Sequence, residues 1–206
     1  MILPKPFYMM RHGQTVHNAA ECMAGSTDSP LTDLGIEQAY AAQKVVAKLS
    51  QAPVKIYHSH LSRARDTAAI VNEFLKVEMH QDPDLAEICA GDMEGKPWSD
   101  CIDIFDGWVQ TPGGEAPEDF FTRIKRAKNK ALEETKDGSP LIVCHGGVMR
   151  AFGALYGADA PAIFRNAHLY EFTPTEHETF PWQVVDYEIC SKTKILKRNI
   201  SKIYSI

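Results

Sequence analysis

Short apolar runs and longer amphipathic stretches alternate along most of this chain. Residues 6–11, 54–58 and 140–145 are largely apolar, and each run gives way to a turn of histidine, serine or glycine. Runs of that length bounded by turns predict buried strands. Between and after them apolar residues recur at helical spacing, predicting helices over roughly 32–50, 62–75, 117–136 and 147–157. Thr32, just before Leu34-Gly35-Ile36, is placed to cap the first of these. In the third, Phe120, Phe121, Ile124, Ala127, Ala131 and Leu132 share a face, with lysines and arginines between them. Pro140 can open a strand, where it gives up no interior ladder bond. Two later strands are expected at 168–173 and 182–189. Strands alternating with helices predict an α/β fold, a three-layer α/β/α sandwich with a mostly parallel central sheet. No repeat or linker interrupts residues 1–206, so a single domain is expected.

Three strand-to-helix junctions carry chemistry. The first is Arg11-His12-Gly13-Gln14-Thr15 after Phe7-Tyr8-Met9-Met10, with Asn18 one turn further on. Imidazole can attack phosphorus and hold the phosphoryl group covalently. A neighbouring guanidinium offers the planar donor fork that phosphate oxygens accept. The second is Cys144-His145-Gly146-Gly147 after Leu141-Ile142-Val143. The third, after Val54-Lys55-Ile56-Tyr57, brings Ser62-Arg63-Ala64-Arg65. Open α/β sheets bind ligands at such strand ends, so His12, Arg11, Arg63 and His145 should meet at one edge. Leu85-Ala86-Glu87, before the loop Gly91-Asp92-Met93-Glu94-Gly95, adds a carboxylic acid.

Together with Gly25-Ser26-Thr27-Asp28-Ser29-Pro30-Leu31-Thr32, with Gly35, Gln38 and Ala39, and with Pro112-Gly113-Gly114-Glu115, this constellation resembles the histidine phosphatase superfamily, also called the phosphoglycerate mutase-like family. The likeness runs from about residue 6 to about residue 173. It implies a phosphatase for small phosphate monoesters that works through a phosphohistidine, without metal or other cofactor. His12 would be the nucleophile, unprotonated on its attacking nitrogen and held at the other by an acceptor. Arg11, Arg63 and a protonated His145 would bind the nonbridging oxygens, with further contacts from Thr15, Asn18 and Gly146. Glu87 fits the family pattern for the acid that protonates the leaving alkoxide, with Glu94 and Asp92 as competitors. Gln14 stands where many members carry Glu. Asn166-Ala167-His168 stands where a small hydroxyl residue is frequent.

Composition narrows the setting. A net charge of −5 argues against nucleic acid as a partner, so a small phosphorylated metabolite must be met by a local basic pocket. No apolar run reaches the ~18 residues of a membrane span, and the first residues lack the apolar region of a signal peptide. Five cysteines without a Cys-x-x-Cys pair favour free thiols and a cytoplasmic location; a monomer or homodimer is expected. Cys144 reads as a small buried hydrophobe, His58 and His60 as structural or exposed rather than ligands. The segment of about 88–118, with Trp98 and Trp108, reads as a lid-like insertion whose aromatics seal a small core or touch substrate. It is shorter than in the glycolytic mutases, which disfavours the alternative of a phosphoglycerate mutase. A noncatalytic phospho-ligand binding module is the other rival. The basic tail of about 191–206 reads as a docked helix or a frayed end.

Overall fold

The computed structural model describes residues 1–160, 164–176, 179–191 and 194–199, with backbone alone beyond residue 187. Strands β1 (Phe7–Arg11), β2 (Lys55–His58), β3 (Glu78–Gln81) and β4 (Pro140–Cys144) run parallel, in the order β3-β2-β4-β1. Beyond β1 the sheet continues through β5 (Leu169–Pro174), β6 (Trp182–Ser191) and β7 (Lys194–Asn199), each antiparallel to its neighbour. Since β6 runs along β1 again, five of the seven described strands share a direction, and the sheet is mostly parallel.

Six helices accompany it: α1 (Val16–Ala19), α2 (Asp33–Val46), α3 (Ser62–Leu75), α4 (Ile102–Asp106), α5 (Pro117–Glu134) and α6 (Gly146–Ala154). Alternation along the strands sorts the core into two faces. Phe7, Met9, Tyr57, Ile142, Cys144 and Phe172 pack under α5 and α6. Tyr8, Met10, Ile56, Leu141, Val143 and Leu169 pack under α2 and α3. That is the expected three-layer sandwich. Each such side chain contributes about 1.5–3 kcal/mol on full burial. Phe7 and Phe172, opposite each other in the β1–β5 register, stack with ring centroids 4.7 Å apart.

Thr32 caps α2 as its position predicts, accepting from the Gly35 amide at 3.1 Å. The helix stops at Val46, short of the expected 50, because its last turn closes on the carbonyls of Gln43 and Val45. Lys128 breaks the pattern of α5. It is fully buried on the apolar face, with its Nζ 2.9 Å from Met9 Sδ and 3.9 Å from the Phe152 ring centre. Burial holds this amine down to about 7.

Two strands escaped the sequence reading. β3 is a half-exposed edge whose four residues, Glu-Met-His-Gln, form no apolar run. The tail was expected as a helix or a frayed end, yet its described part is β7, laid beside β6 with Asn199 opposite Val185. An unpaired strand edge accepts a ladder partner whatever its side chains, and that overrides the charge pattern. Lys192, Ile200, Lys202, Ile203 and Tyr204 lie outside the described residues. The ends of β1, β2 and β4 are drawn together by His12 N donating to Cys144 O at 3.0 Å and Ser59 N to Val143 O at 3.2 Å.

Candidate active site

The strand ends open into a cavity of about 640 Å³. His12, Arg11, Arg63, Glu87, Gly146, Thr15 and Asn18 all line it, so each expected site residue except His145 is among its walls. His145 lies directly beneath, its ring centre 5.1 Å from that of His12.

His12 is buried, and its Nδ1 sits 2.7 Å from the carbonyl oxygen of Gly13. A carbonyl only accepts, so Nδ1 carries the proton and Nε2 keeps its lone pair. Burial, then the charges of Arg11 and Arg63, holds the ring well below the ordinary histidine value. The imidazole is therefore neutral at neutral pH.

His145 differs from its expectation. Arg63 Nε donates to its Nδ1 at 3.1 Å, which bars a proton there, and burial with the Arg63 charge pushes its pKa far down. The ring is neutral, with the proton on Nε2, a buried atom that has no partner in the protein. It offers a neutral N–H donor rather than an imidazolium.

Arg63 is 1 % exposed and held on three sides. Besides its bond to His145, Nη2 donates to Gly25 O at 2.7 Å and Nη1 to Thr27 O at 2.9 Å. Arg11 Nη1 donates to Phe164 O at 2.7 Å, while its buried Nε has no protein partner. Two unpartnered buried donors, Arg11 Nε and His145 Nε2, beside one cavity leave an unmet demand for an acceptor.

The carboxylates on the neighbouring loop part company. Glu87 is buried, accepting from Ile88 N at 3.0 Å and from Gly147 N at 2.8 Å. Burial raises its pKa against the pull of those amides and of Arg63 and Arg11. Gly147 is required here, because any Cβ would strike the Glu87 carboxylate and the Phe105 ring. Glu94 goes the other way. Its carboxylate receives Ser26 N at 2.7 Å, Ser26 Oγ at 2.8 Å, Thr27 N at 2.9 Å, Ala90 N at 3.1 Å and the Thr27 hydroxyl. Those bonds outweigh burial and lower its pKa. It clamps the loop whose carbonyls hold Arg63. Asp92 is exposed and off the cavity, so of the three acids only Glu87 reaches it.

Thr15 and Asn18 form a reciprocal cap on α1: the Thr15 side chain accepts from Asn18 N, and Asn18 Oδ1 from Thr15 N. Sequence reasoning missed Asn166, which lines the cavity and donates to His12 O at 2.9 Å. Its signal was its place in the turn before β5. His168, the other residue of that turn, faces away onto Arg165 and Asp186. Arg123 was also missed. It grips Glu115 through Nε at 2.6 Å and Nη2 at 2.8 Å, and donates to Ala86 O and Glu87 O. The Pro-Gly-Gly-Glu motif thus anchors the acid's loop. Gln14 Oε1 accepts the Thr32 hydroxyl. Arg65 pairs with Asp66 on the surface, His58 is buried against Ser59 O, and Cys144 is an inert buried thiol pushed up to about 12. Among the described residues no three His, Cys, Asp or Glu side chains group to hold a metal, and no helix is long and apolar enough to cross a membrane.

Across the mouth lies residues 88–118. Trp98, Ser99, Ile102, Phe105 and Asp106 line the cavity. Trp108 turns inward, its ring 4.7 Å from that of Phe121. Both tryptophans pack against the core, and only Trp98 also lines the cavity. The segment is stapled to residues 21–23: Trp98 N donates to Glu21 O at 2.9 Å, Met23 N to Lys96 O at 2.8 Å and Gly95 N to Met23 O at 2.7 Å.

A model of the histidine phosphatase superfamily (branch 1) matches residues 7–187. The chain belongs to that superfamily. Within it, "Probable phosphoglycerate mutase GpmB" of Yersinia pestis is 33% identical over 150 residues, 68% of each chain. A mycobacterial glucosyl-3-phosphoglycerate phosphatase, solved with VO3, has a TM-score of 0.70 and 30% identity, covering 82% of this chain and 92% of its own. The alpha-ribazole phosphatase of Shigella flexneri has a TM-score of 0.69 and 26% identity, covering 83% and 91%. Proteins named as a mutase and as phosphatases are thus both among those the chain resembles.

Proposed function

We propose that this protein is a phosphatase that hydrolyses small phosphate monoesters through a phosphohistidine on His12. One observation carries the reading: the Nδ1–H of His12 is tied to Gly13 O, leaving a neutral ring with a free electron pair on Nε2 beside a cationic pocket. That nitrogen attacks phosphorus as the ester P–O bond breaks. Arg11, Arg63 and the Nε2–H of His145 take the nonbridging oxygens and follow their charge into the transition state. Glu87, whose pKa is raised by burial, gives its proton to the leaving oxygen. It then takes a proton from the water that cleaves the P–N bond, releasing phosphate and restoring His12. No metal enters this scheme, since the side chains supply the charge.

A noncatalytic module would not need a buried carboxyl group, its pKa raised by that burial, at the pocket wall. A mutase remains the second reading, favoured by the name of the Yersinia relative. It would return the phosphoryl group to a second hydroxyl rather than to water. The net charge of −5 and the unpaired thiols of Cys22, Cys89, Cys101 and Cys144 support a cytoplasmic monomer or homodimer acting on a phosphorylated metabolite, away from nucleic acid and membranes.

Quenching in alkaline detergent after reaction with a labelled substrate should trap an acid-labile, base-stable adduct on His12, and His12→Ala should lose adduct and turnover together. EDTA should leave turnover unchanged. Undiminished hydrolysis by His12→Ala would end the proposal, and rapid interconversion of 3- and 2-phosphoglycerate would establish the mutase.

A further inference from the structure

Resting on the phosphatase reading, we infer that the outer half of the cavity is a leaving-group site for an uncharged, hydroxyl-bearing ring, such as the sugar of a sugar phosphate or nucleotide, and that it discriminates against carboxylated esters such as phosphoglycerates. The cavity, about 640 Å³, is within the range that encloses a ligand much larger than phosphate. Its floor is cationic, but its mouth is built otherwise.

Trp98, Ile102 and Phe105 give the mouth an apolar wall, with the Trp98 and Phe105 ring centres 5.9 Å apart. Ile102 remains 55% exposed, an apolar surface that a bound ring would cover. Aromatic faces take up flat or ring-shaped groups at little conformational cost. The charged side chains lining this outer half are Glu21, Asp106 and Arg150. Arg150 is committed: its Nη2 lies 2.7 Å from Asp106 Oδ1, and its guanidinium lies over Phe105, 5.4 Å from the ring centre. The mouth therefore carries one negative charge more than positive, and its carboxylates can accept bonds from hydroxyl groups. A leaving group that carries a carboxylate would bring like charge to it, without a cation of its own.

The test compares matched esters. Glycerol 3-phosphate and 3-phosphoglycerate differ by a hydroxymethyl in place of a carboxylate. Ribose 5-phosphate and adenosine 5′-monophosphate add a ring, and p-nitrophenyl phosphate reports phosphatase competence alone. We expect kcat/KM for glycerol 3-phosphate to exceed that for 3-phosphoglycerate by about tenfold, and the ring esters to gain about tenfold more. Trp98→Leu keeps an apolar side chain without the ring face. It should remove most of the ring advantage, read as the ratio of kcat/KM for ribose 5-phosphate to that for glycerol 3-phosphate. Asp106→Asn, which removes one of the two carboxylates at the mouth, should raise 3-phosphoglycerate turnover. Calorimetry with His12→Ala should give dissociation constants in the same order, so the ranking is readable apart from turnover. Hydrolysis of p-nitrophenyl phosphate with 3-phosphoglycerate equal to or better than glycerol 3-phosphate would overturn this site while sparing the phosphatase. Failure on every ester would remove the phosphatase reading, and a reversed order of dissociation constants would remove the leaving-group site as well.

Discussion

The floor and the mouth of the cavity are built by different rules. The floor is assembled from the ends of β1 and β4 and the first turn of α3, and its functional groups are buried: Arg63 is 1 % exposed, His145 0% and His12 4%. Nearly every donor there is aimed by another backbone or side-chain atom. The mouth comes mainly from one connecting segment, joined by Glu21 and by Arg150 of α6, carries an exposed Ile102 and an exposed Asp106, and is shaped by apolar surface. Two glutamates seven residues apart mark the boundary. Glu87, with two amide donors and full burial, is raised; Glu94, with five donors, is lowered. The pKa of the same residue type moves up or down according to how deeply it is buried and how many hydrogen bonds meet its charge.

If the floor does the chemistry, its loss should depend on the leaving group's need for a proton. Glu87→Gln should slow phosphoryl transfer from an alkyl phosphate by about 10²–10⁴-fold, and far less from p-nitrophenyl phosphate, in single-turnover release of the alcohol. Because Glu87 must be protonated for this step, the wild-type rate should fall as pH rises through its raised pKa. That basic limb should vanish in Glu87→Gln. Equal slowing on both esters would move the acid elsewhere.

The boundary between floor and mouth is tested by Glu94→Gln, which weakens the clamp on Ser26 and Thr27 and so the carbonyls that orient Arg63. Vanadate inhibition and KM should each worsen about tenfold, with kcat changed less, as expected when one hydrogen bond to a charged group is lost at a distance. A loss confined to thermal stability would make Glu94 merely structural.

The smallest effect on catalysis should come from below the floor. Lys128→Met replaces the buried amine that touches Met9 and Phe152. Its folded pKa, about 7, is below the unfolded value of 10.5, so folding favours the neutral amine. The destabilisation is complete below about pH 7 and fades as pH rises toward 10.5. The substitution should raise Tm by several degrees at pH 6, by much less near pH 10, and leave turnover within about twofold. A gain independent of pH would mean that Lys128 is already neutral or solvated.

The floor was largely legible in the sequence, because strand ends, glycines and ionisable residues recur there in one order. Arg11, His12, Arg63, Glu87 and His145 all arrive where that order placed them. The protonation of His145 was not legible, since it depends on Arg63 Nε reaching its Nδ1 from another element. Nor were Asn166 and Arg123, which act through backbone carbonyls far along the chain. In the fold, apolar runs gave away the interior strands, whereas β3 and β7 exist because a neighbouring edge offered a ladder. Sequence periodicity reports what faces the core, and edge strands face it least.

The three backbone bonds that fasten residues 95–98 to 21–23 give the entrance the character of a door frame. Opening it there would expose several amides at once, so that side of the aperture should be set before any ligand arrives. Entry is then a matter of passage through a fixed gap, and a ligand of the wrong breadth is refused by collision rather than by failing to trigger closure. Association should follow a single phase, linear in ligand concentration, with no slow rearrangement behind it.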